Sequence, residues 1–323
     1  MKKNFLFVSL LAGSILLLPV IAASQNLKIA VIPKSNNTLF WKSVHLGTKL
    51  GATALSGVEI LWSAPQAEDN VDQQISIMEQ CIQNNVSGII LSPIHQEALA
   101  ASVAKAMNKK IPVLIFDSPL KGVPGKNYIS FVGISNKKAG FLAGDYLATL
   151  LNGRGKVVLL RFVKGQANTT EREEGFIEAI SKHKTIQLTV KDRYAGGTVE
   201  EAKSACKALL DKLQDADGVF CPNELSTIGM LQTLQEARLA GKIKFVGFDT
   251  PAPVVEALKK GEIQALIAQD PARIGFQSVK TLVDHIRGKK VPANVEIDVK
   301  IVTQENLNNP DIKKLLTLPS ISE

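Results

Sequence analysis

Only three cysteines, two tryptophans, three tyrosines and four histidines occur among the 323 residues. Cys81, Cys206 and Cys221 are odd in number and far apart, which excludes a disulfide framework and any Cys/His cluster at zinc spacing. The histidines are scattered too, so neither a metal nor another cofactor is expected. The sequence has no G-x-S-x-G elbow, no H-E-x-x-H, no G-x-x-x-x-G-K phosphate loop and no G-x-G-x-x-G turn. Their absence removes the commonest hydrolase, metalloprotease and nucleotide chemistries. The net charge of +8 includes Lys2 and Lys3, and the rest is spread over stretches such as 104–110 and 182–184. Aromatic residues do not interleave with these charges, so they read as solvated surface and no nucleic-acid partner is expected.

Long apolar runs are also missing, except for one at the start. Met1-Lys2-Lys3-Asn4 is followed by an apolar run over 5–23, small residues at Ala22, Ala23 and Ser24, and then polar Gln25-Asn26. This is the pattern of a secretory signal peptide, with cleavage expected near Ala23 or Ser24 and residues 1–24 removed. The alternative is a membrane anchor, since the run is nearly long enough to span a bilayer. Pro19 within the run, the small residues at its end and the lack of a Lys/Arg cluster after it favour cleavage. No cysteine follows the run, which argues against a lipid anchor, and a soluble mature chain of about 300 residues is expected. That length suits two linked lobes better than one core. In an oxidising compartment an odd cysteine count leaves at least one thiol free. Cys206 on a helix and Cys221 on the next strand are expected to stand too far apart for a bridge, so three free, buried cysteines are predicted.

Six short apolar runs make up the framework of the mature chain, and each ends on polar residues. Residues 28–32 lead to Lys34-Ser35-Asn36-Asn37, 88–91 to Ser92, and 113–116 to Asp117. The second half repeats the pattern, with 218–221 before Asn223, 245–248 before Asp249, and 265–268 before Gln269. Continuous apolar runs separated by longer amphipathic stretches predict strands of a parallel sheet buried on both faces. Ligands of open α/β sheets sit beyond the carboxyl ends of the strands. Six polar strand ends therefore predict one lined site, suited to a hydroxyl-rich ligand.

The intervening stretches read as helices. Thr38 is placed to cap a helix carrying Phe40, Trp41, Val44 and Leu50. Thr198-Val199-Glu200-Glu201 has the form of a capping box. A first βα series runs to 128–133 and a second starts after Ser135, with a last extended segment over 295–302. The expected architecture is two doubly wound parallel-sheet α/β lobes, with the chain crossing between them more than once.

At these residues the chain resembles the periplasmic sugar-binding proteins of the type I, ribose-binding-like class. The resemblance rests on Ser35-Asn36-Asn37 with Phe40-Trp41, on Ile111-Pro112-Val113 leading to Phe116-Asp117, and on Arg172-Glu173-Glu174-Gly175-Phe176. It continues through Val219-Phe220-Cys221-Pro222-Asn223-Glu224, Val246-Gly247-Phe248-Asp249 and Gln269-Asp270-Pro271. Their order covers nearly all of the mature chain. The resemblance implies a ligand clamped between two lobes joined by three hinge crossings near Ser135, Asp270 and Val299. One lobe would hold 25–134 plus 271–298, and the other 135–270 plus 299–323. It further implies that Asn37, Asp117, Arg172, Asn223, Asp249 and Gln269 bond sugar hydroxyls, and that Phe40 and Phe248 pack on the sugar ring. Three positions depart from the ribose binders. Ser118 replaces an arginine, Ser92 replaces a cleft asparagine, and the Gly196-Gly197 region carries no aromatic except neighbouring Tyr194; Ser92 and Ser118, with Trp41, complete the expected ligand-binding set. These departures point to another monosaccharide or a related polyol.

Each site residue also has a plainer reading. Asp117 and Asp249 are suited to cap turns, Arg172 to pair with Glu171 or Glu174, and Asn37 to cap the first helix. Phe40 and Trp41 fit a core as well as a cleft. Asp117 and Asp249 would be a poor glycosidase pair, because lobes that move cannot fix a carboxylate separation. The expected function is thus a monomeric periplasmic receptor, not an enzyme, that passes a sugar to an inner-membrane ABC permease. The alternative is the same receptor presenting its ligand to a chemoreceptor or sensor kinase. A sugar-responsive repressor is disfavoured, since an export signal stands where a helix-turn-helix would be.

Overall fold

A computed structural model describes residues 26–317, so the signal-peptide assignment lies outside the described residues. The first five strands are β1 (Leu27–Ile32), β2 (Val58–Trp62), β3 (Gly88–Leu91), β4 (Val113–Phe116) and β5 (Phe131–Gly133). Helices α1 (Leu39–Leu55), α2 (Val71–Gln83) and α3 (Ala100–Asn108) connect them. A second series follows with α4 (Asn136–Leu150), β6 (Arg154–Arg161), α5 (Ala167–Ser181), β7 (Thr185–Tyr194), α6 (Val199–Lys207) and α7 (Leu210–Gln214). It continues through β8 (Gly218–Phe220), α8 (Glu224–Glu236), β9 (Lys244–Phe248), α9 (Ala252–Lys259) and β10 (Ala265–Ala268). The chain ends with α10 (Pro271–Ile286), β11 (Asn294–Glu296), β12 (Lys300–Val302) and α11 (Pro310–Leu316).

These strands form two six-stranded sheets, ordered β11-β5-β4-β3-β1-β2 and β12-β10-β9-β8-β6-β7. All pairings are parallel except β12 against β10. Every residue of β3, β4 and β10 is buried, as expected of strands covered by helices on both faces. The edge strand β7 is largely exposed.

The chain passes between the sheets three times: from β5 into α4 at residues 134–135, from β10 into α10 at 269–270, and from β11 into β12 at 297–299. The single extended segment expected over 295–302 is thus two short strands in different sheets. Each crossing helix packs closely on a partner within its new lobe, α4 on α5 and α10 on α1. Glycine makes both contacts possible. A Cβ at Gly140 would overlap the carbonyl of Arg172, and one at Gly47 the carbonyl of Ala272. Among the described residues no helix is long and apolar enough to cross a membrane. Cys206 and Cys221 are buried free thiols, as expected, whereas Cys81 is only half-buried on an outer helix face.

Candidate functional site

The carboxyl ends of β1, β3 and β4 face those of β8, β9 and β10 across a cleft between the lobes, and the strand-end residues build its walls. Asp117 follows β4 and Asp249 follows β9 at corresponding places, with φ of 58° and 65°. The left-handed region is uncommon for residues with a side chain, though aspartate tolerates it, and such strain gathers at functional sites. In each lobe the turn aims a carboxylate into the cleft.

From the first lobe come Lys34, Phe40, Trp41, Glu68 and Asp117, and from the second Gln166, Asn168, Arg172, Asn223, Asp249 and Gln269. They enclose a small, mostly polar pocket that opens to solvent. Lys34 is 1% exposed and reaches across to the other lobe. Its Nζ donates to Gln166 Oε1 and Asn168 Oδ1, both at 3.0 Å, and lies 3.5 Å from Asp117 Oδ2. Burial pushes the Lys34 pKa down, while Asp117 and Glu68 pull it back up. Asp117 Oδ2 also accepts from Ser92 Oγ at 2.9 Å and Asn168 Nδ2 at 3.2 Å. Among the described residues no partner engages its Oδ1, which leaves an acceptor for a ligand.

Arg172 is buried on the facing wall. Its Nε donates to Asn136 Oδ1 at 2.9 Å, one terminal nitrogen to the Pro222 carbonyl at 3.0 Å, and the other to Gln269 Oε1 at 3.4 Å. The guanidinium lies 4.0 Å above the Phe248 ring, a cation–π contact that holds it flat. Burial lowers its pKa, opposed by Asp249 and Asp117. Asp249 accepts from Gln269 Nε2 at 2.7 Å and from the Glu224 N–H at 3.1 Å. Burial pushes this carboxyl up to about 6, against the pull of Arg172. Asn223 caps α8 by accepting the Ser226 N–H at 3.2 Å and also borders the cleft.

Four of the expected site residues lie away from the pocket lining. Asn37 is exposed on the rim, its amide donating to the Gln66 carbonyl at 2.7 Å, because the turn after β1 directs Lys34 inward instead. Ser92 is fully buried and supports Asp117 from behind. Ser118 is also buried behind the wall, its hydroxyl 3.5 Å from the Asn168 N–H. Phe248 is covered by Arg172 and offers no face to a ring. Phe40 remains at the cleft edge, edge-on to Trp41 with ring centroids 4.9 Å apart. Trp41 lines the cleft and donates its Nε1–H to Glu68 Oε1 at 2.6 Å.

Sequence reasoning missed Lys34, Glu68, Gln166 and Asn168. Asn168 and Arg172 share a face of α5 at a spacing of four, but Asn168 lies in its first turn, where nothing in the local sequence marks it. Glu68 sits in the loop between β2 and α2, where no periodicity marks it. Burial raises its pKa, opposed by Lys34. No three His, Cys, Asp or Glu among the described residues are placed to hold a metal ion. The cleft instead alternates carboxylate acceptors with guanidinium, ammonium and amide donors above an aromatic edge. Hydroxyl groups both donate and accept, so a polyhydroxyl ligand can satisfy both kinds of wall group.

Comparison with known proteins agrees with this chemistry. Residues 29–290 match the periplasmic binding protein domain family. The ribose import binding protein of Haemophilus influenzae is 30% identical over 242 residues, covering 74% of this chain and 79% of that protein. An ABC transporter solute binding protein from Agrobacterium vitis, solved with D-fucose bound, superposes with a TM-score of 0.86 at 30% identity, over 90% of this chain and 100% of that one. A carbohydrate transporter solute binding protein from Agrobacterium radiobacter in complex with D-arabinose gives 0.85 at 30% identity, over 90% and 99%. With two parallel-sheet lobes, a polar cleft between them and a family match over most of its length, this chain belongs to the periplasmic binding protein family.

Proposed function

We propose that this protein is an exported periplasmic receptor that closes its two lobes on a monosaccharide or related polyol and delivers it to an ABC importer. The observation that carries this reading is the convergence of Asp117 from one lobe with Arg172, Asn223, Asp249 and Gln269 from the other on one pocket between the lobes. A ligand bonded to both walls binds the closed arrangement more tightly than the open one, and that difference in affinity shifts the equilibrium toward closure. The three crossings at 134–135, 269–270 and 297–299 act as the hinge. The receptor works as a monomer, and the permease reads the closed shape. As in the family it belongs to, the task is binding and not catalysis.

A thermal-shift screen of the mature protein against D-ribose, D-allose, D-fucose, D-arabinose and myo-inositol tests this. A ligand of the folded state adds about 2.7 kcal/mol of stability at a hundredfold excess over Kd. The sugar that raises the melting temperature should also reduce the radius of gyration in small-angle scattering and be recovered intact. An unchanged radius at saturation refutes the clamp, and a chemically altered sugar refutes the receptor.

A further inference from the structure

The start of helix α1 is completed by a side chain from the opposite lobe. The first turn of a helix presents N–H groups without intrahelical acceptors. In α1 the Thr38 hydroxyl takes the Trp41 N–H at 3.2 Å, and the Thr38 carbonyl takes that of Lys42 at 3.2 Å. The two that remain, Leu39 and Phe40, donate to Glu224 Oε1 and Oε2, each at 3.0 Å. Glu224 opens α8 in the second lobe and is 6% exposed. Its own N–H is held by Asp249 at 3.1 Å. A hydrogen-bonded path therefore runs from the end of β9 in one lobe to the first helix of the other. A buried carboxylate at a helix N-terminus is well matched, because the converging N–H groups and the helix dipole both favour negative charge.

This contact also forms a wall. Phe40, Glu224, Asp249 and Gln269 line the sugar chamber on one side. The same four residues border a wider groove that runs past both Pro271 and Lys300 to α11. With both oxygens engaged by α1, Glu224 is committed to holding the lobes together. If the lobes part, the Leu39 and Phe40 N–H groups pass to water, so the whole contact belongs to the closed arrangement.

We infer that Glu224 is a positioning residue for sugar capture: it clamps the N-terminus of α1, locks the lobes closed and seals the chamber from the groove. It thereby sets how long a sugar stays, and not which sugar is chosen. The inference rests on the sugar-capture reading, and its test separates the two. Glu224→Gln keeps the shape but turns an amide NH₂ toward one of the two N–H donors. Leu39→Pro removes a donor instead, at a first helical position where proline is tolerated. Hydrogen exchange over residues 38–41, measured with and without saturating sugar, reads the clamp directly. Stopped-flow dissociation of D-fucose, D-arabinose and D-ribose reads its effect on capture. Each variant should melt cooperatively, exchange these amides at least about tenfold faster and release bound sugar about tenfold faster. The affinity ratios among sugars should stay unchanged, and the double variant should be no worse than the poorer single one. Unchanged exchange, additive losses or altered sugar ratios would overturn the assignment. If none of the three sugars binds the unmodified protein while exchange responds as expected, the clamp stands and the capture of these sugars fails.

Discussion

Asp117→Asn separates binding from folding more cleanly than any other single change in the cleft. Asp117 Oδ2 carries the structural bonds, from Ser92 Oγ at 2.9 Å and Asn168 Nδ2 at 3.2 Å. An asparagine can keep its carbonyl oxygen there and turn its NH₂ to the Oδ1 position, which faces the cleft. Asparagine also tolerates the φ of 58° at this turn. The fold therefore loses little. What disappears is a charged acceptor for a sugar hydroxyl, and a hydrogen bond to a charged group contributes about 1.5–3 kcal/mol. That corresponds to a Kd raised roughly tenfold to a hundredfold. Lys34 loses a counter-charge at 3.5 Å but keeps Gln166 and Asn168 as acceptors, so closure persists. Calorimetric titration with the sugar identified by thermal shift, run beside a melt of the unliganded variant, measures both quantities. An unchanged Kd refutes the assignment of Oδ1 to the ligand. A lost or broadened melt refutes the division of labour between the two oxygens.

Three further outcomes are expected. Lys34→Met removes the buried ammonium that ties Asp117 to Gln166 and Asn168 across the cleft, leaving Gln166 Oε1 without its donor and the buried Asp117 without this counter-charge. Titration should show sugar affinity reduced at least about tenfold, and equal affinity would mean that Lys34 contributes nothing to closure. Burial, reinforced by Asp249, pushes the Glu224 carboxyl up to about 7, above the roughly 4.3 of an unfolded chain. The folded state then holds the extra proton, so this contribution is complete below about pH 4.3 and is lost as pH rises through about 7. The stability of the unmodified protein relative to Glu224→Gln, followed by melts from pH 4 to 8, should fall across that window; a rise would contradict the sign. Gly140→Ala puts a methyl group against the Arg172 carbonyl and should destabilise by about 1–3 kcal/mol. It should also weaken sugar binding by displacing Arg172, and denaturant unfolding that matches the unmodified protein would show that α4 and α5 can part at no cost.

The framework and part of each wall were readable from the residues alone. A strand covered on both faces must be apolar throughout, so β3, β4 and β10 were legible as continuous runs. The residue that ends such a run necessarily emerges at the edge of the sheet, which marked Asp117, Asn223, Asp249 and Gln269 without any knowledge of their neighbours. The resemblance added Arg172, whose position on a helix gives no local sign of its task.

Which side chains face the cleft depends on how the turns and lobes are arranged in three dimensions. Periodicity encodes burial, but side-chain direction beyond a strand end depends on the dihedrals of the turn, so Lys34 took the inward place expected of Asn37. Phe248 ends a buried strand as predicted, yet Arg172 stacks on its ring and takes the cleft surface in its place. Glu224 was visible only as part of a motif, because its partners Leu39 and Phe40 stand 185 and 184 residues away and on the other lobe. No local pattern can encode such a contact, since it is created by the docking of one lobe on the other.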